Sequence, residues 1–372
     1  MTIGIDCRLW NQTGVGRYVR NLVKELGEIN ENKYVLFVRK QDYENLKSQI
    51  SNLKYRENFK PVSVDIPWHS VKEQVLFPKV LKKENLDLMH FTYFSVPILY
   101  KKPYALTVHD LTLNHFKSGK ASTRNFLVYS IKRNAYLFIM KKATKNARKI
   151  IAVSNATSHE LVDHLRVPKD KISVIYEGVD KSVLAAGKSL ISDPYVLYVG
   201  NVYPHKNAER AILAFFKASK PASAKFIFVG KEDFFYKSLR KKIQNLDKKK
   251  RVLFEGFVDD DSLSALYQNA KALIMPSLME GFGLPVLEAM ANKCLVLASD
   301  IPSLKEVAED AALYFNPWDI NDISRKIEIA FSSQNNEEYI EKGLKRSKDF
   351  SWGKMAKETL EVYEGSFSLR QG

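Results

Sequence analysis

Cysteine is nearly absent. The 372 residues hold two, Cys7 and Cys294, far apart and each inside an apolar stretch. That number supports neither a disulfide framework nor a zinc-ligand spacing, and it fits a reducing compartment. Long apolar runs are missing as well. None approaches the roughly 18 residues that a membrane-spanning helix needs. The opening Met-Thr-Ile-Gly-Ile-Asp turns polar too soon for a signal peptide. The expectation is a cytoplasmic chain, soluble or peripheral on the cytoplasmic face of a membrane. Internal repeats and low-complexity tracts are also lacking.

Acidic residues vanish between Asp110 and Glu160, where ten basic ones stand, from Lys117 to Lys149. Aromatic and aliphatic residues interleave with them, as in Phe126-Leu-Val-Tyr and Ala135-Tyr-Leu-Phe-Ile-Met. Two readings stay open. One is a core-packed helix with a solvated basic face. The other is residues 117–149 docking on an anionic membrane surface, where each nearby Lys or Arg gives about 1 kcal/mol. Nucleic acid would meet the same charge, but no nucleic-acid module is recognisable, and none is expected as a partner. The charge is lopsided. Residues 1–190 carry 32 Lys and Arg against 17 Asp and Glu, and residues 191–372 carry 26 against 25. An anionic partner is therefore expected for the first half only.

What is abundant is alternation. Short apolar runs predict strands at Thr2–Asp6, Tyr34–Arg39, Leu86–Phe91, Tyr104–His109, Lys149–Val153 and Ile172–Glu177. Amphipathic stretches predict helices at Arg17–Leu26, Val71–Leu81, Ser122–Lys145 and Asn155–Leu165. The rhythm weakens over Leu184–Pro194, which reads as a linker, and then restarts. Strands are expected at Tyr195–Val199, Lys225–Val229, Val252–Glu255, Ala272–Met275, Cys294–Ala298 and Ala312–Phe315. Helices are expected at Ala208–Ala218, Phe235–Leu246, Ser262–Gln268, Val286–Ala291, Asp322–Phe331 and Glu337–Lys348. This is α/β patterning of two Rossmann-like, doubly wound domains. Such sheets bind ligands at the carboxyl ends of their strands.

The densest chemistry lies in residues 276–291, Pro-Ser-Leu-Met-Glu-Gly-Phe-Gly-Leu-Pro-Val-Leu-Glu-Ala-Met-Ala. Glu280 and Glu288 bracket a turn with Gly281, Gly283 and Pro285. Glycine lets backbone approach a ligand closely. Proline suits the first turn of a helix, whose free N–H groups and dipole favour an anion. Glu288, about one turn further in, can accept hydrogen bonds from a diol.

This string resembles the Glu–seven residues–Glu signature of the family 4 retaining glycosyltransferases. The resemblance implies that Glu280 meets the donor sugar and Glu288 the ribose. Gly281, Phe282, Gly283 and Leu284 would line the donor, the last three offering amides to its diphosphate. It also implies a GT-B fold, two domains facing across a cleft. The first covers residues 1–186, the second 187–350, and a C-terminal helix at about 351–372 crosses back to the first.

Other segments fit the same pattern. Tyr195-Val-Leu-Tyr-Val-Gly-Asn-Val-Tyr-Pro-His-Lys-Asn resembles the family's phosphate loop, with Lys206 on the diphosphate. Many relatives carry Arg where this chain has Asn201, which leaves more of the charge work to Lys206. A solvated turn lysine is the plain alternative. Thr107-Val-His-Asp-Leu places His109 at a strand end. A lone histidine is commonly structural, yet the resemblance gives His109 a polar contact with sugar and leaving group, while Asp110 orients the loop. Gly14 and Gly16, in Leu9-Trp-Asn-Gln-Thr-Gly-Val-Gly-Arg-Tyr, resemble the family's first-domain glycine loop, with Arg17 adding charge. No dinucleotide fingerprint is present, since Val19 stands where the third glycine would be. The backbone at Phe257 and Val258 would lie near the nucleotide base. Asp259, Asp260 and Asp261 read as a helix cap rather than a metal site. Asp6, Ser154, Glu177 and Asp180 match family positions as scaffold.

No cofactor or metal is expected. The implied reaction moves a hexose from a nucleotide diphosphate sugar to an acceptor with retention, the leaving diphosphate helping to deprotonate the acceptor. The Pro-His-Lys-Asn stretch and Asp65-Ile-Pro-Trp-His resemble bacterial mannosyltransferases of polysaccharide assembly. They point to GDP-mannose and to a glycan or polyprenyl-linked glycan acceptor. Two rivals stand beside this reading. One is another GT-B enzyme, such as a sugar-nucleotide epimerase or a phosphorylase. The other is a non-catalytic basic binding protein.

Overall fold

The computed structural model describes residues 1–29, 32–116, 126–179, 191–332 and 336–368. The chain divides into two compact units. One takes Met1–Asn114, Arg124–Glu177 and Trp352–Gly372, and the other His115–Thr123 and Gly178–Ser351. The linker expected over Leu184–Pro194 falls mostly outside the described residues, as does Asp180.

The first unit is built on a parallel seven-stranded sheet. Its strands are β1 (Thr2–Asp6), β2 (Lys33–Val38), β3 (Phe59–Ser63), β4 (Leu88–Phe91), β5 (Tyr104–Val108), β6 (Lys149–Ala152) and β7 (Ile172–Val174). They lie in the order β3-β2-β1-β4-β5-β6-β7. Every residue of β4 and β5 is buried, as a sheet covered on both faces requires. The connecting helices are α1 (Thr13–Ile29), α2 (Tyr43–Ser51), α3 (Val71–Lys83), α4 (Thr112–His115), α5 (Phe126–Asn146) and α6 (Asn155–Leu165).

The second unit repeats the plan with six parallel strands. These are β8 (Tyr195–Val199), β9 (Lys225–Val229), β10 (Val252–Gly256), β11 (Ala272–Met275), β12 (Val296–Ser299) and β13 (Ala312–Phe315). Their order is β10-β9-β8-β11-β12-β13. Helices α7 (Ala208–Lys217), α8 (Phe234–Ile243), α9 (Asp260–Asn269), α10 (Leu284–Ala291), α11 (Pro302–Ala308), α12 (Ile320–Ser332) and α13 (Asn336–Ser347) surround it. Its core joins Val196, Tyr198, Phe226, Phe228 and Leu297 of the sheet to Phe215, Tyr236 and Ile327 of the helices. The last helix, α14 (Trp352–Ser368), belongs to the first unit. It packs on α1, and its Tyr363 hydroxyl meets His90 Nδ1 of β4 at 2.7 Å.

In both sheets the strand order reverses once, between β1 and β4 and between β8 and β11. A doubly wound sheet opens a crevice for ligands there.

Several elements differ from the sequence reading. Helix α1 begins at Thr13 rather than Arg17, so Gly14 and Gly16 lie in its first turns and not in a loop. Gly16 is needed there, because a Cβ would stand 2.5 Å from the Trp10 carbonyl oxygen. Strand β3 and helix α2 have no counterpart among the elements expected from the sequence. Strand β3 pairs with β2 alone, and this edge position tolerates Pro61. Helix α11 was also unforeseen, its seven residues starting at Pro302.

Candidate active site

Two loops meet at the reversal of the second sheet. The loop after β8 runs through Gly200 and Asn201 to Lys206, and the loop after β11 runs from Pro276 to Gly283. Asn207 joins them. It takes a left-handed φ of 58°, caps α7, and donates from its side chain to the carbonyl oxygens of Pro276 (3.0 Å) and Pro317 (2.8 Å). The Leu278 N–H adds a bond to the His205 carbonyl at 2.7 Å. These bonds tie the two loops to each other.

This zipper brings Lys206 and Glu280 together. Lys206 Nζ lies 2.7 Å from both carboxylate oxygens of Glu280, and the Ser277 hydroxyl donates to Oε1 at 2.6 Å. The side chains are 17% and 9% exposed. Removing one member of so buried a pair leaves an uncompensated charge and costs about 3–5 kcal/mol. Ser277 was not foreseen, although it stands three residues before Glu280 in the quoted string.

Past Glu280 the backbone turns sharply into α10. Gly283 has φ +108°, and a Cβ on it would come within 2.6 Å of Leu304 Cδ2. Two independent constraints thus demand glycine here. Phe282 is buried on the ring of Phe350, 5.7 Å between centroids. Pro285 sits in the first turn of α10. Among the described residues the amides of Gly283 and Leu284 donate to no acceptor. They are the orphan donors of a helix start, where the dipole favours an anion. Glu288 lies further along α10, buried, and accepts from the Tyr267 hydroxyl at 2.9 Å.

The backbone of Gly200 and Asn201 is pinned by two tyrosines. The Tyr236 hydroxyl donates to the Gly200 carbonyl at 2.6 Å, and the Tyr198 hydroxyl to that of Asn201. Phe257 follows β10 with 84% of its surface exposed, and Val258 is half-buried. Asp259 caps α9 by accepting from the Ser262 N–H at 2.7 Å, which is the capping role expected from the sequence.

In the first unit, His109 follows β5 directly. Its Nδ1 lies 3.1 Å from Glu177 Oε1 and its Nε2 3.1 Å from the Thr92 carbonyl oxygen. The Tyr18 ring of α1 meets it edge-on at 5.0 Å. The imidazole is thus fixed on three sides. Glu177, which the sequence marked only as scaffold, is its carboxylate partner. Asp110 accepts from the Thr112 N–H at 2.8 Å and so orients the loop. After β1, Asp6 holds Arg8 at 2.6 Å, and Arg8 reaches Glu73 of α3 at 2.7 Å. This buried ion network supports the loops on either side of the β1–β4 reversal. Burial raises the Glu73 carboxyl above its ordinary range, and the Arg8 guanidinium offsets only part of that rise. Ser154 caps α6. A Cβ on Gly14 would meet nothing within 4 Å.

The chain is similar to known proteins in sequence and in fold. Residues 186–346 match the family described as Glycosyl transferases group 1. Residues 12–183 match Glycosyltransferase Family 4. The O-antigen chain mannosyltransferase RfbU of Salmonella typhimurium is 31% identical over 273 residues, 73% of this chain and 71% of that protein. Among solved structures, sucrose-phosphate synthase from Thermosynechococcus elongatus superposes with a TM-score of 0.80 at 20% identity, covering 99% of this chain and 100% of that one. Anabaena HepE in complex with UDP and glucose gives 0.75 at 17%, covering 98% and 100%. Among the described residues no helix is long and apolar enough to cross a membrane. The chain belongs to the family 4 glycosyltransferases and has their GT-B fold of two parallel-sheet α/β domains.

Proposed function

We propose that this glycosyltransferase moves mannose from GDP-mannose to a glycan or polyprenyl-linked glycan, with retention and without a metal. The observation that carries the donor site is the Lys206–Glu280 pair beside the open amides of Gly283 and Leu284. Lys206 Nζ spends two of its three N–H donors on Glu280. The third is left for a phosphate oxygen. The start of α10 supplies two further donors and a favourable dipole. In this reading Glu280 also accepts from a sugar hydroxyl, Glu288 from the ribose, and exposed Phe257 offers a face to the base.

The acceptor hydroxyl oxygen forms the new bond to the anomeric carbon as the bond to the diphosphate oxygen breaks. The hydroxyl proton passes to the leaving diphosphate. Negative charge grows on that diphosphate, so donors already aimed at it lower the barrier, each by about 3–4 kcal/mol. In this reading His109 keeps its bond to Glu177 and exchanges the Thr92 contact of Nε2 for a polar contact with the substrate. The choice of mannose is supported by the similarity to RfbU, an O-antigen chain mannosyltransferase. A thermal-shift screen with UDP, GDP, ADP and dTDP and their sugars, followed by transfer assays with labelled donor, tests the proposal. GDP-mannose should give the largest stabilisation and the only efficient transfer. Equal or greater transfer from another donor would refute the mannose assignment.

The same proposal places the chain on the cytoplasmic face of a membrane. Helix α5 exposes Ile131 (62%) and Phe138 (53%) near Lys141 and Lys142, a pairing of apolar and basic groups suited to anionic headgroups. Co-sedimentation with phosphatidylglycerol vesicles, weakening with salt, is expected. Absence of sedimentation at low salt would remove the membrane from the account.

A further inference from the structure

Beside His109, a cluster of rings in the first unit takes no part in the chemistry derived so far. Trp68 and His69 lie between β3 and α3, and Tyr93 and Phe94 follow β4. The His69 ring meets Trp68 edge-on at 4.6 Å, stacks on Tyr93 at 5.8 Å and tilts over Phe94 at 4.8 Å. Tyr93 continues to His109, 6.4 Å between centroids. Phe94 is buried and rests on Tyr136 of α5 at 4.5 Å, so it backs the cluster. His69 is exposed, and Trp68 and Tyr93 are half-buried.

His69 is held in an unusual way. Its φ is +57°, the left-handed region, which costs a residue with a Cβ about 1–2 kcal/mol. Buried groups hold it there. Its N–H donates to Glu73 Oε2 at 2.9 Å and lies 3.2 Å from the Ser95 hydroxyl. Glu73 is itself bound by Arg8 and by that hydroxyl. Neither ring nitrogen of His69 bonds to another described residue, and neither does the Trp68 indole N–H. Desolvation, with the nearby Arg8 guanidinium adding to it, pushes the His69 pKa down to about 4. At neutral pH the ring therefore offers one donor and one acceptor. Backbone strain held by a rigid surround is a mark of functional positions.

We propose that Trp68, His69 and Tyr93 form a platform for a pyranose ring of the acceptor glycan. The ring's C–H face lies against the Trp68 indole, and its hydroxyls bond to the free nitrogens of His69. An apolar wall with a few placed polar groups is how proteins hold such ligands. A nucleotide base would also stack on an indole. The donors suited to a diphosphate, however, lie in the other unit. The inference rests on the reading above that a glycan is the acceptor.

The test is the binding of octyl glycosides of mannose, galactose, glucose, rhamnose and N-acetylglucosamine to the full chain. It uses the wild type, Trp68→Leu, Trp68→Phe and His69→Asn. Leucine keeps apolar bulk and loses the ring, while phenylalanine keeps a ring. Asparagine tolerates the left-handed backbone and keeps a donor and an acceptor. At least one glycoside should bind the wild type. Trp68→Leu should weaken it by about tenfold. Trp68→Phe should bind nearly as the wild type does. His69→Asn, whose shorter side chain draws the donor and acceptor back from the sugar, should bind more weakly, and GDP affinity should be equal in all four. Undiminished glycoside binding by Trp68→Leu, or weakened GDP binding in its place, overturns the platform. Should Trp68→Leu fail to melt cooperatively, the wild type decides: its tryptophan emission should shift saturably with glycoside, and an unmoved emission overturns the proposal. Glycoside binding through Trp68 without sugar transfer from any nucleotide donor would sink the transferase reading and leave the platform standing.

Discussion

Glu288 is buried and bonded to Tyr267, and its proposed partner is a ribose diol. Glu288→Ala should therefore weaken the binding of free GDP, by about tenfold or more for a lost charged hydrogen bond. Calorimetric titration reads this directly, and unchanged affinity would remove the ribose role. Gly283 makes a different prediction. Alanine would be strained at φ +108° and would collide with Leu304. Gly283→Ala should lower unfolding stability by about 1–3 kcal/mol. Thermal melting checks it, and an unchanged melting temperature would show that the turn relaxes freely. At this scale the sequence pointed to candidate groups but not to the residues that hold them. Glu280, Glu288, Lys206 and His109 stand in recognisable strings. Tyr267, Glu177 and Asn207 act across gaps of 21, 68 and 69 residues. No local pattern encodes such distances. Glu73 was nearer to legible, since Ser70 and Glu73 have capping-box spacing.

The strands were the clearest elements, because buried parallel strands are short, continuous apolar runs. Strand β3 departs from this. It is an edge strand carrying Lys60 and Pro61, and its pairing with β2 alone makes it a strand. Helix α1 hid its start because Gly14 and Gly16 argue against helix, whereas close packing on the Trp10 carbonyl favours glycine at position 16. Helix α14 gives the element-scale prediction. Tyr363 is fully buried, and its hydroxyl bonds to His90 in β4. Tyr363→Phe strands one imidazole nitrogen and should cost about 1–3 kcal/mol in chemical denaturation. A neutral substitution would mean that the bond does not help hold α14 to the sheet.

Across the whole molecule, acid should loosen the first unit. Burial, with His109 adding to it, pushes the pKa of His90 down to about 3, from an ordinary value of 6.5. His69 is lowered in the same direction. Below about pH 6.5 the unfolded chain takes up protons that the folded chain refuses. Stability should therefore fall with falling pH, by about 1.4 kcal/mol per unit for the fully buried His90, until its folded value is reached, and by much less for the solvent-exposed His69. In His90→Gln the slope between pH 6 and 4 should be shallower. An identical slope would show that His90 does not set it.

The two-unit plan was readable from the alternation alone. The basic half was readable from counting charges. The proposed diphosphate site needed the junction of β8 and β11, where two loops 74 residues apart place Lys206 on Glu280. The most direct test is the rate of sugar transfer from labelled nucleotide sugar by Lys206→Ala, measured beside its melting temperature and its residual binding of GDP. A fall of about a hundredfold or more in a chain that still melts cooperatively is expected. Turnover close to that of the wild type would contradict a diphosphate bound at Lys206 and the start of α10.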